Sequence, residues 1–262
     1  MTEERVPTVL SIAGSDSGGG AGIQADLKAI ARCGAHGMTA ITAITAQNTV
    51  GVSAIEAISP EMIIEQIRAV ADDIGVDAVK IGMLGNAETI EAVATGLDLI
   101  PEAPVVVDPV MVAESGADLL QPEARSALVE LILPRATVVT PNISEARLLT
   151  GLNEESSQAA LAEAVLKLGP SSVVITGGHS SGLIDVFFDG ENLVEIEGDH
   201  HPGSSSHGSG CTHSSALATF LAKGQDPLEA ARSARKVASK AVGNGLDSVG
   251  AGPGPVDVFG LS

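Results

Sequence analysis

The chain has 262 residues, a length that one core serves and that can bury roughly three-quarters of the unfolded surface. Hydrophobic residues make up 44%, charged residues 18% and glycine 30 positions, which excludes a disordered chain or a disulfide-stapled miniprotein and suits an α/β protein with many tight turns. The 14 Lys+Arg against 33 Asp+Glu leave a net charge of −19, a field that repels phosphate backbones and anionic lipid headgroups. With no Trp, no Tyr and four Phe, the chain also lacks aromatic platforms for single-stranded nucleic acid, so no nucleic acid and no membrane partner is expected. The same acidity predicts a salt-adapted, halophilic protein. Cys33 and Cys211 show no CxxC or metal-ligand spacing, and the acidic N-terminal stretch carries no secretory pattern, which together predict a reducing, cytoplasmic setting.

Apolar runs at Thr8–Ala13, Met38–Thr45, Val76–Ile81, Pro104–Asp108, Thr137–Thr140 and Ser172–Thr176 predict strands buried on both faces. Helical spacing begins at Gly22, Pro60, Ala87, Pro122, Ser144, Glu155, Gly210 and Asp226. The alternation runs through residues 1–262 without a composition break and predicts one domain, a mostly parallel central sheet with helices on both faces. Leu183–Phe188 and Asn192–Ile196, joined by Asp189-Gly190-Glu191, predict a small antiparallel hairpin at the sheet edge.

Ligands of such sheets bind beyond the carboxyl ends of the strands, which selects five segments. In SIAGSDSGGGAGIQAD (11–26), a glycine-rich turn leads into a helix. It formally contains GxGxxA but lacks the acidic residue about 20 positions on that would hold a ribose, and it lacks a P-loop Lys-Ser/Thr. Either a tight turn or backbone amides left open to a ligand accounts for its glycines. AITAQNTVG (43–51) ends a strand with Gln47 and Asn48, each able to bond a heteroaromatic ring or cap a turn. VVVDPVMVAESG (105–116) and VVTPNISEA (138–146) bring Asp108 and the Asn142-x-x-Glu145 pair to one sheet edge, as Mg²⁺ ligands or as helix caps. SSSHGSGCTHSSALATF (204–220) opens an apolar helix on Gly-Ser-Gly, so its first amides suit an anion, and Cys211 in the first turn is either a thiol with a pKa below the free value of about 8.5 or a buried structural cysteine.

In order and spacing, AGSDSGGGAGIQADLKA, TAITAQNT, VKIGMLG, VVDPVMVAESG, TPNISEA, TGGH and HGSGCT resemble the hydroxymethylpyrimidine/phosphomethylpyrimidine kinases, within the ribokinase-like superfamily, across nearly the whole chain. The resemblance implies a ribokinase-like α/β enzyme of thiamine biosynthesis. It would transfer the γ-phosphoryl of Mg-ATP first to 4-amino-5-hydroxymethyl-2-methylpyrimidine and then to its monophosphate, acting as a homodimer. Carried over by motif, Gln47 reads the pyrimidine, Gly14, Met83 and Val110 line its pocket, and Asp26 lies close by. Cys211 takes the proton, and the amides of Gly208, Ser209 and Gly210 form an anion hole. Asn142, Thr176, Gly178 and His207 serve the nucleotide, and Asp108 and Glu145 serve Mg²⁺. Two positions depart from the family pattern, Thr176 and Glu114, where many members carry Lys. Their loss implies that Mg²⁺ and backbone amides, more than side chains, manage the phosphate charge. Pyridoxal kinase is the competing activity in the same superfamily, and a non-catalytic pyrimidine sensor is the competing reading of another class.

Overall fold

Strands whose successive residues face two different packed layers can lie only inside a sheet covered on both sides. The computed structural model describes residues 5–112, 116, 119–177, 184–199, 201 and 205–261. Among them the strands are β1 (Thr8–Asp16), β2 (His36–Gln47), β3 (Val52–Ala57), β4 (Ala78–Ile81), β5 (Val105–Val107), β6 (Val138–Val139), β7 (Val173–Ile175), β8 (Ile184–Phe188) and β9 (Leu193–Glu197). They form one sheet in the order β3-β2-β1-β4-β5-β6-β7-β8-β9. The run from β2 to β7 is parallel. The expected hairpin is β8–β9, antiparallel at one edge, with Leu183 outside the described residues. The opposite edge corrects the sequence reading, because β3 pairs antiparallel with β2 where no strand was expected.

The helices are α1 (Gly22–Arg32), α2 (Pro60–Asp73), α3 (Ala87–Leu97), α4 (Ala124–Ala127), α5 (Ile143–Thr150), α6 (Gln158–Leu166), α7 (Ser209–Ala222) and α8 (Pro227–Gly243). Ser59, Asn86, Ser157 and Asp226 each accept from an amide of the first turn of the helix they precede, and α2 and α8 open on Pro. Past Ala127 the helix widens into a π turn (Leu128–Ile132) and tightens at Leu133–Arg135.

Alternation sorts the core into two layers. Leu10, Ile12, Val79, Ile81, Val105 and Val107 pack on one face with Ile63, Ile67, Ile90 and Leu161. Val9, Ala78, Val106, Val138 and Val174 pack on the other with Ile30, Ala216, Leu217, Ala230 and Ala234. Ser11, Lys80 and Asp108 share the strand parity of this second layer, so three polar groups enter it beside α1 and α7. No helix among the described residues is long and apolar enough to cross a membrane.

Candidate active site

At the end of β1, Asp16 organises the glycine-rich turn. Its carboxylate accepts from the amides of Gly18 (2.7 Å), Gly20 (3.0 Å) and Ala21 (2.9 Å), and His207 Nε2 lies 3.3 Å away. Burial pushes this carboxyl up, but His207 and the amides of Ala21 and Gly18 outweigh it and hold it below the usual carboxylate range. Those amides are therefore spent on Asp16, and the glycines serve close approach between loops. A Cβ at Gly20 would stand 2.1 Å from the His207 ring, and one at Gly208 1.8 Å from the Gly20 carbonyl oxygen.

Gln47 ends β2. Its backbone exchanges hydrogen bonds with Ser17 Oγ, which donates to the Gln47 carbonyl at 2.7 Å and accepts from the Gln47 amide at 2.8 Å. The side chain borders a cavity, whereas Asn48 turns away and accepts from Val50 and Gly51, so the structure separates the two amides that the sequence left equivalent. The same turn is fastened to the late segment 250–257. Thr49 Oγ1 accepts from the amides of Ala251 and Gly252, both at 3.2 Å. His207 donates its amide to the Gly254 carbonyl, and the Val256 amide donates to the His207 carbonyl.

At the other end, Asn142 and Glu145 form a reciprocal capping box at α5, each donating its amide to the other's side chain at 2.9 Å. The capping reading is thus realised, and both side chains still border the cavity. Burial pushes the Glu145 carboxyl up to about 8, assisted by repulsion from Asp108. Burial likewise raises Asp108, which Lys80 opposes and Asp26 reinforces.

Helix α7 begins after Gly208, whose φ of 83° is left-handed, and no side chain caps it. The Ser209 amide already donates to the Ser206 carbonyl at 3.0 Å, which removes it from the expected anion hole and leaves Gly208, Gly210 and Cys211 as the available donors. The expectation for Cys211 is reversed. Burial pushes its thiol up to about 12, and Lys80 only partly offsets this, because desolvation exceeds the pull of the helix terminus.

The cavity measures about 690 Å³, the size of a small-molecule site. Gly14, Gln47, Met83, Val110, Asp108, Asn142, Glu145, Thr176, His207, Gly208, Ser209, Gly210 and Cys211 all border it. Met83 fits because Gly14 has no side chain, since a Cβ there would lie 3.2 Å from the Met83 sulfur. Asp26 is not on the wall. It is wholly buried beneath it, bound to Lys80, Ser11 and Ser215, so it is corrected from a substrate-binding residue to one that holds Lys80 close by the pocket. Gly178, Glu114 and His179 lie outside the described residues. Sequence reasoning missed Lys80 and Arg147, two cations at the cavity, although a lysine inside an apolar strand is itself a signal of a buried partner.

Comparison with known proteins gives the family. Residues 16–257 match the family model described as phosphomethylpyrimidine kinase. The chain belongs to the phosphomethylpyrimidine kinase family. It is 49% identical over 257 residues to the hydroxymethylpyrimidine/phosphomethylpyrimidine kinase of Rhizobium meliloti, covering 95% of this chain and 96% of that one. The Bacillus subtilis enzyme of the same name is 44% identical over 255 residues, covering 95% and 94%. Among solved structures, pyridoxal kinase from Staphylococcus aureus in complex with AMP-PCP superimposes with a TM-score of 0.89 at 34% identity, covering 99% and 96%. Phosphomethylpyrimidine kinase from Clostridium difficile gives 0.77 at 40%, covering 88% and 96%. The fold is ribokinase-like, and as a family member the chain is a kinase of thiamine-pathway pyrimidines.

In this kinase the contact of Gly208 with Gly20 fixes where α7 begins. Gly208→Ala meets both a left-handed φ and a carbonyl oxygen at 1.8 Å, so it is expected to cost at least about 1–3 kcal/mol of stability and to raise the KM for nucleotide. Thermal unfolding and kinetics of the purified variant test this, and an unchanged Tm contradicts the geometry.

Proposed function

We propose that the cavity binds 4-amino-5-hydroxymethyl-2-methylpyrimidine and then its monophosphate, and passes to each the γ-phosphoryl group of ATP. One observation carries the reading: a single cavity joins a ring-sized pocket at Gly14, Gln47, Met83 and Val110 to a buried carboxylate pair and the uncapped start of α7. The similar kinase structures with AMP-PCP and ADP support ATP as the donor. The Gln47 carboxamide offers one donor edge and one acceptor edge to a ring nitrogen and its neighbouring amine. Asn142, Thr176 and His207 stand along the path to the nucleotide.

Asp108 and Glu145 fit Mg²⁺. They are two buried carboxylates, and Asp108 pushes the Glu145 carboxyl up, a repulsion that a divalent cation relieves, while no third His, Cys, Asp or Glu completes a cage among the described residues. Such a set leaves places for water and phosphate oxygens. When bound, the ion supplies charge neutralisation to the polyphosphate. In the first transfer the hydroxyl oxygen bonds to the γ-phosphorus, and the bond to the β–γ bridging oxygen breaks with its electrons leaving on ADP. The hydroxyl proton passes to the Cys211 thiolate. The amides of Gly208, Gly210 and Cys211 face the developing charge.

The high pairwise similarity to pyridoxal kinase structures makes pyridoxal the competing acceptor. Product formation with the pyrimidine alcohol, its monophosphate and pyridoxal decides, and faster turnover of pyridoxal overturns the proposal. Gln47→Ala is expected to raise KM for the pyrimidine about tenfold or more while sparing KM for ATP. Equal effects on both would remove Gln47 from the ring.

With a resting thiol pKa of about 12, the thiolate is a minor form that grows as pH rises. Transfer to the alcohol should therefore climb through the alkaline range, whereas transfer to the monophosphate, whose oxygens are already ionised, should level off near neutrality. Cys211→Ala should depress the first step more than the second. Equal losses, or pH profiles of one shape, assign Cys211 to geometry alone.

The free cysteines support a cytoplasmic enzyme, and the exposed Ile44, Val50 and Ile55 at the β2–β3 edge support a homodimer. The −19 charge supports salt adaptation, because screening relieves both self-repulsion and repulsion of ATP. Tm is expected to rise from dilute buffer to molar KCl by more than in a matched sucrose series, with a dimer mass on sedimentation of the same samples. A flat Tm or a monomer removes the corresponding assignment.

A further inference from the structure

Lysine tolerates complete burial only when its ammonium is paired. Lys80 is wholly buried in β4, with Nζ at 2.9 and 3.0 Å from the two carboxylate oxygens of Asp26. Asp26 is wholly buried too, and it accepts from Ser11 Oγ at 2.6 Å and Ser215 Oγ at 2.8 Å. Space for the ammonium exists because residue 82 is glycine, where a Cβ would lie 2.8 Å from Nζ. A pair that served packing alone could be replaced by apolar side chains at little cost, but the Lys80 of this pair borders the cavity. Ser215 stands one helical turn after Cys211 on the same face of α7, so the grip on Asp26 aligns the ion pair with the sulfur. The charged groups whose fields reach Cys211 are Lys80 from β4, Asp26 from α1 and Asp108 just past the end of β5. Two of these oppose a thiolate, and Lys80 favours it.

We propose that Lys80 is a positioning residue for phosphoryl transfer, its ammonium held by Asp26 toward Cys211 so that it stabilises the thiolate that accepts the substrate's hydroxyl proton. The proposal rests on the reading of Cys211 as proton acceptor. The thiol first releases its proton to solvent. The thiolate then takes the hydroxyl proton as the new O–P bond forms and the bridging P–O bond of ATP breaks, which regenerates the thiol beside an unchanged ammonium. Lys80 itself exchanges no proton. Burial works to neutralise it, but Asp26, with Cys211 and Asp108, holds its pKa well above the usual lysine value.

The test reads Cys211 directly in the full-length, substrate-free protein, as its rate of alkylation by iodoacetamide at one mildly alkaline pH, with peptide mass spectrometry separating it from Cys33. Lys80→Met removes the favourable charge and should slow alkylation about tenfold, the equivalent of one pKa unit. Asp26→Asn removes an opposing charge and should speed it, and the double variant, which conserves the net charge of the cluster, should return to within about threefold of the parent. Simple loosening of the fold would speed alkylation in all three. In turnover, Lys80→Met should depress transfer to the alcohol more than to the monophosphate, and that excess should vanish in a Cys211→Ala background. Alkylation changes that are absent or of one sign overturn the role of Lys80, while the two-acceptor comparison of Cys211→Ala separately judges Cys211 as base. Opposed alkylation changes with equal losses on both acceptors also overturn it, since the pair would then tune the thiol without serving transfer. Where Lys80→Met does not fold, Asp26→Asn decides together with amide hydrogen exchange: faster alkylation at unchanged exchange protection is expected, and slower or unchanged alkylation, or faster alkylation with lost protection, overturns the proposal.

Discussion

A parallel sheet buried on both faces has no solvent in which to leave a charge, so the ammonium of Lys80 and the carboxylate of Asp26 can exist only together. That requirement fixes more than two side chains. Asp26 belongs to α1 and Lys80 to β4, and the remaining capacity of the carboxylate is filled from β1 by Ser11 and from α7 by Ser215. Four elements are thereby held in one register under the cavity floor, and a slide of α7 along the sheet would take the Ser215 hydroxyl from the carboxylate. The apolar layer around them, Ile30, Ala216 and Leu217 among others, is less demanding, because hydrophobic contacts tolerate small shifts. The pair supplies uniqueness of docking in a place where chemistry needs it.

Above that floor the site is an exercise in allocating backbone donors. The turn after β1 and the start of α7 both expose amides near the cavity, and both look alike as anion sites. Asp16 consumes the first set with its own carboxylate, while α7 has no capping side chain. One glycine-rich segment is therefore scaffolding and the other is available to a ligand. A carboxylate caps the first, and no side chain caps the second.

The alternation of apolar strands and amphipathic helices was legible because each parallel strand is short, apolar throughout and buried on both faces. β3 was not. Ser53, Ala54 and Glu56 have weak strand preference, the strand is almost wholly solvent-facing, and what secures it is the backbone ladder to β2. The residues around the cavity were legible through motif order, with the strand ends bringing Asp108, Asn142 and Cys211 together as the doubly covered sheet requires. Asp26 was misplaced because a residue's distance along the chain from a glycine turn does not tell which way its helix face points. The direction of the Cys211 shift was misread for a related reason. A helix terminus is a local feature of sequence, whereas the burial that dominates the thiol is a tertiary property, which no local window contains.

The fastening of the turn at Asn48–Gly51 and the loop at His207 by residues 250–257 has a temporal side. Synthesis releases β1, β2 and Gln47 long before that segment, and domains begin to organise as they emerge. Until that segment emerges the nascent chain can hold a growing sheet, yet the wall that carries Gln47 and the loop that carries His207 lack this tie. Emergence of residues 250–257 and fastening of the binding site are consequently one event. A chain interrupted upstream of Gly250 leaves the ribosome with much of its core and an untied cavity, a species that resembles the enzyme in secondary structure and differs from it at the site.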